Sequence, residues 1–220
     1  MSQTLDLPVA TAERPKPVTP GRRRLTWREC VISDLFGAWV IIGLFIDGWA
    51  HNHEKPETIF TPWHGILYSG FVVAAWWAVR LARRDQRSGQ SIWHSAPVGH
   101  SLTLVGVIVF AIGATSDMTW HKLFGVEVSL AALLSPTHLL MLTGALLVMT
   151  GPFRAGWADG RQQAPSLREF LPTLGSLILV TALVAFFWLF WHDCGRTLIR
   201  SSFMLLAREA GATRSARTTA

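Results

Sequence analysis

The stretch Ile41–Gly70, IIGLFIDGWAHNHEKPETIFTPWHGILYSG, sets two apolar runs around a polar turn, and Ala111–Gly144, AIGATSDMTWHKLFGVEVSLAALLSPTHLLMLTG, repeats its plan. Asp47-Gly-Trp-Ala-His51 aligns with Asp117-Met-Thr-Trp-His121 at an offset of 70 residues, where Gly43 also matches Gly113 and Glu57 matches Glu127. The second copy then carries four extra loop residues. Beyond them Thr61-Pro62-Trp63-His64 answers Ser135-Pro136-Thr137-His138, Ser69-Gly70 answers Thr143-Gly144, and Arg80 answers Arg154. The pattern reads as a helical hairpin used twice.

An apolar run of about 20 residues is long enough to cross roughly 30 Å of hydrocarbon as a helix. Such runs fall near 31–50, 64–82, 98–120, 136–153 and 170–191. The chain is 50% hydrophobic and 15% charged, with 11 Trp and 12 Phe, too little polar surface for a soluble protein of 220 residues. The fold class expected is therefore all-α, a polytopic transmembrane bundle of about five spans. Hairpin repeat 1 covers about 31–82, hairpin repeat 2 about 98–154, and the fifth span about 170–191, all within a bundle at 28–192. Residues 1–27, with several Pro and the run Arg22-Arg23-Arg24, read as a disordered cytoplasmic basic tail. Residues 193–220 read as a basic C-terminal tail.

Arg28, Arg80, Arg83, Arg84, Arg87, Arg154, Arg161 and Arg168 recur on one side of this topology, whereas the opposite connections hold Lys55 and Lys122 among acidic residues. The excess of basic residues on cytoplasmic loops places the N-terminus in the cytoplasm and the Asp/His turns outside. Arg196, Arg200, Arg208, Arg214 and Arg217 then fall on the outer side, against that rule. The net charge of +6 fits orientation and lipid headgroups, with no interleaving of bases and aromatics suited to nucleic acid. Cys30 and Cys194 lie at opposite faces and are not expected to pair. Trp49, Trp63, Trp120 and Trp191 on one side, and Trp27, Trp93 and Trp157 on the other, read as interfacial aromatic belts.

The turns carry the chemistry. An Asp and a His four residues apart share one helix face, so Asp47 with His51, and Asp117 with His121, point the same way at the end of an ascending helix. Thr61 and Ser135 suit N-caps and Pro62 and Pro136 the first helical position, which puts His64 and His138 in the first turn of the descending helix. Each hairpin thus offers two imidazoles and a carboxylate, a donor set for Cu(II), Fe(II) or Zn(II) with open positions. Glu57 and Glu127 are candidates to orient these ligands or to add to them. His53 and the pair His192-Asp193 stand near the clusters without counterparts, while His94 and His100 read as interfacial or core residues. The middles of the spans are nearly free of ionisable groups, which argues against an ion pathway. No catalytic base or nucleophile stands out.

On these residues the chain resembles the C subunit of the particulate methane and ammonia monooxygenases, the copper membrane monooxygenase family. Asp47-Gly-Trp-Ala-His51 through Phe60-Thr61-Pro62-Trp63-His64 is similar to that subunit's first copper site, and Asp117, His121 and Ser135-Pro136-Thr137-His138 to its second. The family has Asn where Asp117 stands and a shorter loop. The resemblance covers about 31–154. It implies one or two copper ions, oxygen chemistry on a small apolar substrate, an external site in a bacterial inner membrane, and further membrane subunits or a homo-oligomer. The residues alone leave open a non-catalytic metal carrier, sensor or storage protein, and a b-type haem protein with paired axial His.

Overall fold

A computed structural model describes residues 22–53, 61–84, 86, 89–124, 134–158 and 165–189. Among them the regular structure is helical: α1 Trp27–Asn52, α2 Pro62–Arg83, α3 Ile92–Ser95, α4 Ser101–Phe124, α5 Pro136–Met149, α6 Gly151–Trp157 and α7 Leu167–Leu189. Four helices, α1, α2, α4 and α7, are long and apolar enough to span a membrane, and the bent pair α5–α6 makes a fifth. The protein is an all-α membrane bundle. Leu35, Ile42, Trp76, Ile112 and Ile178 stand exposed along the helices, an apolar surface suited to lipid.

Local chemistry sets the helix starts. Thr26 and Glu29 cap α1 reciprocally in a capping box. Pro62 and Pro136 open α2 and α5, where the missing N–H costs nothing. Helix α4 begins three residues later than hydropathy predicts. Gly99 precedes it at φ +77°, tucked so closely under α6 that a Cβ there would lie 3.0 Å from the Arg154 carbonyl carbon. The bend of 42° between α5 and α6 falls at Gly151-Pro152, where proline interrupts the backbone ladder. Arg154 stitches the break, donating to the Leu147 carbonyl at 2.8 Å and to Thr150 Oγ1.

Two antiparallel pairs, α1 with α2 and α4 with α5, dominate the packing. Gly43 meets Leu67 and Gly70 meets Val40, with an added Cβ only 2.6 and 3.0 Å from backbone atoms of the facing helix. In the second pair Gly113 meets Met141 and Gly144 meets Phe110, at 2.9 and 2.5 Å. Small residues let the backbones approach in both hairpins, at positions matched by the sequence offsets. Phe71 stacks on Phe110 at 3.9 Å and joins the hairpins. Helix α7 closes the bundle, with Phe186 against Phe45 at 5.3 Å and Ser176 donating to the Met149 carbonyl at 2.6 Å.

The bundle has two polar ends. At the arginine end, buried Glu29 accepts from Arg23 at 2.7 Å and from Arg84 at 2.8 Å, tying the start of α1 to the end of α2. Arg22, at the close of the stretch read as a tail, donates to the Ala96 carbonyl at 2.8 Å and to Ser101 Oγ at 2.7 Å. His100 is buried, its Nε2 bonded to the Ala78 carbonyl at 3.0 Å, and burial holds its basicity below the ordinary histidine range. His94 is exposed. Asp34 of α1 packs against Gly175 of α7, and its Oδ1 is buried with no hydrogen-bond partner among the described residues. The opposite end carries the aspartates and histidines.

Candidate metal centre

At the end of α1, Asp47 and His51 sit one turn apart, as their spacing requires, with Asp47 Oδ2 3.5 Å from His51 Nε2. Helix α2 starts across the turn and brings His64 Nε2 to 3.4 Å from Asp47 Oδ1. The two imidazoles meet edge to face, 5.5 Å between centroids. One ligand atom from each of the three residues lies within 4.8 Å of the others.

These separations are long for hydrogen bonds and compatible with ligands that share an ion. Donors about 2.0–2.2 Å from one metal stand roughly 3–3.5 Å from each other, whereas a good hydrogen bond to a carboxylate is about 2.7–2.9 Å. Asp47 is 8% exposed, and its Oδ1 is buried with no hydrogen-bond partner among the described residues. An anionic acceptor left so is costly unless a cation faces it.

Thr61 has a part beyond the one its position suggests. It caps α2 in backbone geometry but makes no side-chain cap bond; its Oγ1 lies 2.6 Å from His64 Nδ1. A hydroxyl accepting Nδ1–H is the arrangement that turns the Nε2 lone pair toward a metal. Tyr68, one turn further on, stacks on the His64 ring at 6.1 Å.

The second cluster brings the same residue types together in a different way. His121 Nε2 is 3.1 Å from Asp117 Oδ2 and His138 Nδ1 is 3.3 Å from Asp117 Oδ1, with the rings 6.3 Å apart. Thr137 Oγ1 donates to Asp117 Oδ1 at 2.7 Å. Ser135 Oγ lies 2.9 Å from both Thr137 Oγ1 and His138 Nδ1 and accepts from the His138 backbone N–H. Here the nitrogen nearest the carboxylate is Nδ1, where the first cluster presents Nε2.

Both clusters lie at the same end of the bundle, at the ends of α1 and α4 and the starts of α2 and α5. His53 stands apart as an exposed ring stacked on Trp49, with Nδ1 on the Trp49 carbonyl at 2.8 Å. Glu57, Glu127, His192, Asp193 and Cys194 lie outside the described residues. Sequence spacing marks the Asp and His of both clusters, whereas the hydroxyl contacts of Thr61 and Thr137 are legible only once the turns are folded. No family model, curated protein or solved structure matches this chain.

Proposed function

We propose that this membrane protein binds a copper ion through Asp47, His51 and His64, with Asp117, His121 and His138 as a companion cluster at the same end. The observation that carries the reading is the first triad: three donor atoms within 4.8 Å of one another around a buried carboxylate oxygen that has no hydrogen-bond partner among the described residues. Two imidazoles with one carboxylate suit copper, and the same set on a helical hairpin is what the monooxygenase subunit resemblance implies. Thr61 orients His64, Asp47 offsets the cation's charge, and the apolar helices beneath keep bulk water from one side. Bound copper would supply the means to activate oxygen or a peroxide beside an apolar substrate. The distribution of arginines supports an outer-face position for the triad, and the family resemblance implies a bacterial inner membrane and further membrane subunits.

A non-catalytic carrier or storage protein is the second reading. It is favoured by the side-chain exposure of His51, 32%, which leaves the ion open to exchange. Elemental analysis of protein purified in native lipid, wild type against His51→Ala with His64→Ala, tests the shared premise. Copper retained by wild type and lost by the double variant supports it; equal metal in both overturns it. Oxygen consumption by the copper-loaded wild type with small hydrocarbons then separates the enzyme from the carrier.

A further inference from the structure

The two clusters have matching ligand types and different hydrogen-bond states, and one residue pair accounts for the difference. Thr137 has a single hydroxyl hydrogen, which it donates to Asp117 Oδ1. Toward Ser135, 2.9 Å away, it can then only accept, so Ser135 gives its own hydrogen to Thr137. Ser135 Oγ therefore accepts from His138 on both counts, from the backbone N–H and from Nδ1–H at 2.9 Å. That chain assigns the proton of His138 to Nδ1, the nitrogen 3.3 Å from Asp117 Oδ1, and leaves its lone pair on Nε2.

In the first cluster the residue at the matched position is Trp63. Its indole Nε1 is buried with no hydrogen-bond partner among the described residues, so it does not reach Asp47, and Asp47 Oδ1 stays open.

We propose that the Ser135–Thr137–Asp117 hydroxyl chain is a lock that sets the metal stoichiometry: the first cluster takes one ion tightly, and the second refuses a second ion until the chain is broken. This rests on the metal reading of the first cluster, and Thr137 is the residue that determines selectivity between the two. For the second cluster to bind, the His138 ring must turn and the Thr137 bond to a charged acceptor must be given up, a loss worth about tenfold to a hundredfold in affinity.

The test is a Cu(II) titration against a competing chelator, on full-length protein in lipid nanodiscs, for wild type, Thr137→Val, Thr137→Ser and Trp63→Thr. One tight equivalent in wild type and in Thr137→Ser, and a second in Thr137→Val strengthened about tenfold to a hundredfold, sustains the lock. Two equivalents of like affinity in wild type, or no strengthening in Thr137→Val, overturns it while leaving the first site in place. A wild type that binds nothing overturns the metal reading of the first cluster, and the lock, which rests on it, falls with it. Should Thr137→Val fail to fold, Trp63→Thr carries the test: it places a hydroxyl beside Asp47 and is expected to weaken the first site by a similar factor, with unchanged affinity counting against the proposal.

Discussion

Replacing Asp47 with Asn separates a metal site from a purely structural ion cluster, because the two predict opposite signs. The Asp47 carboxylate is 8% exposed and its Oδ1 has no hydrogen-bond partner among the described residues. A buried acceptor in that state costs about 1–3 kcal/mol, and a neutral amide of the same shape relieves the charged part of that cost. The metal-free Asp47→Asn protein should therefore unfold at a higher temperature than metal-free wild type, by roughly 2–4 °C for each kcal/mol recovered in a chain of this size. With copper at about a hundredfold excess over Kd, wild type should gain about 2.7 kcal/mol more, and the variant should lose that increment with its ligand. Thermal unfolding in nanodiscs, followed by tryptophan fluorescence with and without chelator, measures both shifts. A lower metal-free midpoint in the variant would refute the reasoning, because Asp47 would then be acting as the counter-ion of a protonated His51 or His64.

Gly144→Val should open the α4–α5 hairpin, since an added Cβ would lie 2.5 Å from the Phe110 backbone nitrogen; overpacking costs about 1–3 kcal/mol, while Gly65→Ala, with nothing within 4 Å, should unfold like wild type. Glu29→Gln should lose about 1.5–3 kcal/mol in the same unfolding assay, because it weakens the charged bonds from Arg23 and Arg84 at a position 4% exposed. His100 is held below its ordinary value by burial, so its stabilising neutral form is fully present above about pH 6.5 and is lost as pH falls through the lower folded-state value. His100→Gln should accordingly flatten the fall of the unfolding midpoint on the acid side of neutrality, and an unchanged slope would dismiss this assignment.

Hydropathy made the spans legible because a membrane helix must satisfy its backbone internally and present apolar side chains along a fixed length. The turn residues placed His51 one turn after Asp47, and Pro62 placed His64 at the start of α2, so local rules were enough to bring the first triad together. What they could not supply was the hydrogen-bond state of each cluster. Trp63 and Thr137 occupy matched positions, and only the folded turn shows that one leaves the carboxylate open while the other occupies it. The bend at Gly151-Pro152 was hidden for a related reason, as 136–157 is apolar throughout and its proline reads equally well as a span end. Asp34 and Glu29 carry no motif or repeat that marks them in the sequence. Asp34 packs against Gly175 of α7 and Glu29 pairs with Arg23 and Arg84, contacts between segments that periodicity does not connect.

All three donors of the first triad come from one hairpin, between Asp47 and His64, and that hairpin is held by its own close contacts at Gly43 and Gly70. During synthesis the first two helices leave the ribosome well before the second hairpin exists, and contacts this local form early. The triad is therefore assembled as soon as α1 and α2 are inserted side by side. An ion captured at that stage would clamp the hairpin shut and stand as a finished corner against which α4, α5 and α7 are laid down, so metal supply during biogenesis would bear on the yield of folded protein as well as on its activity.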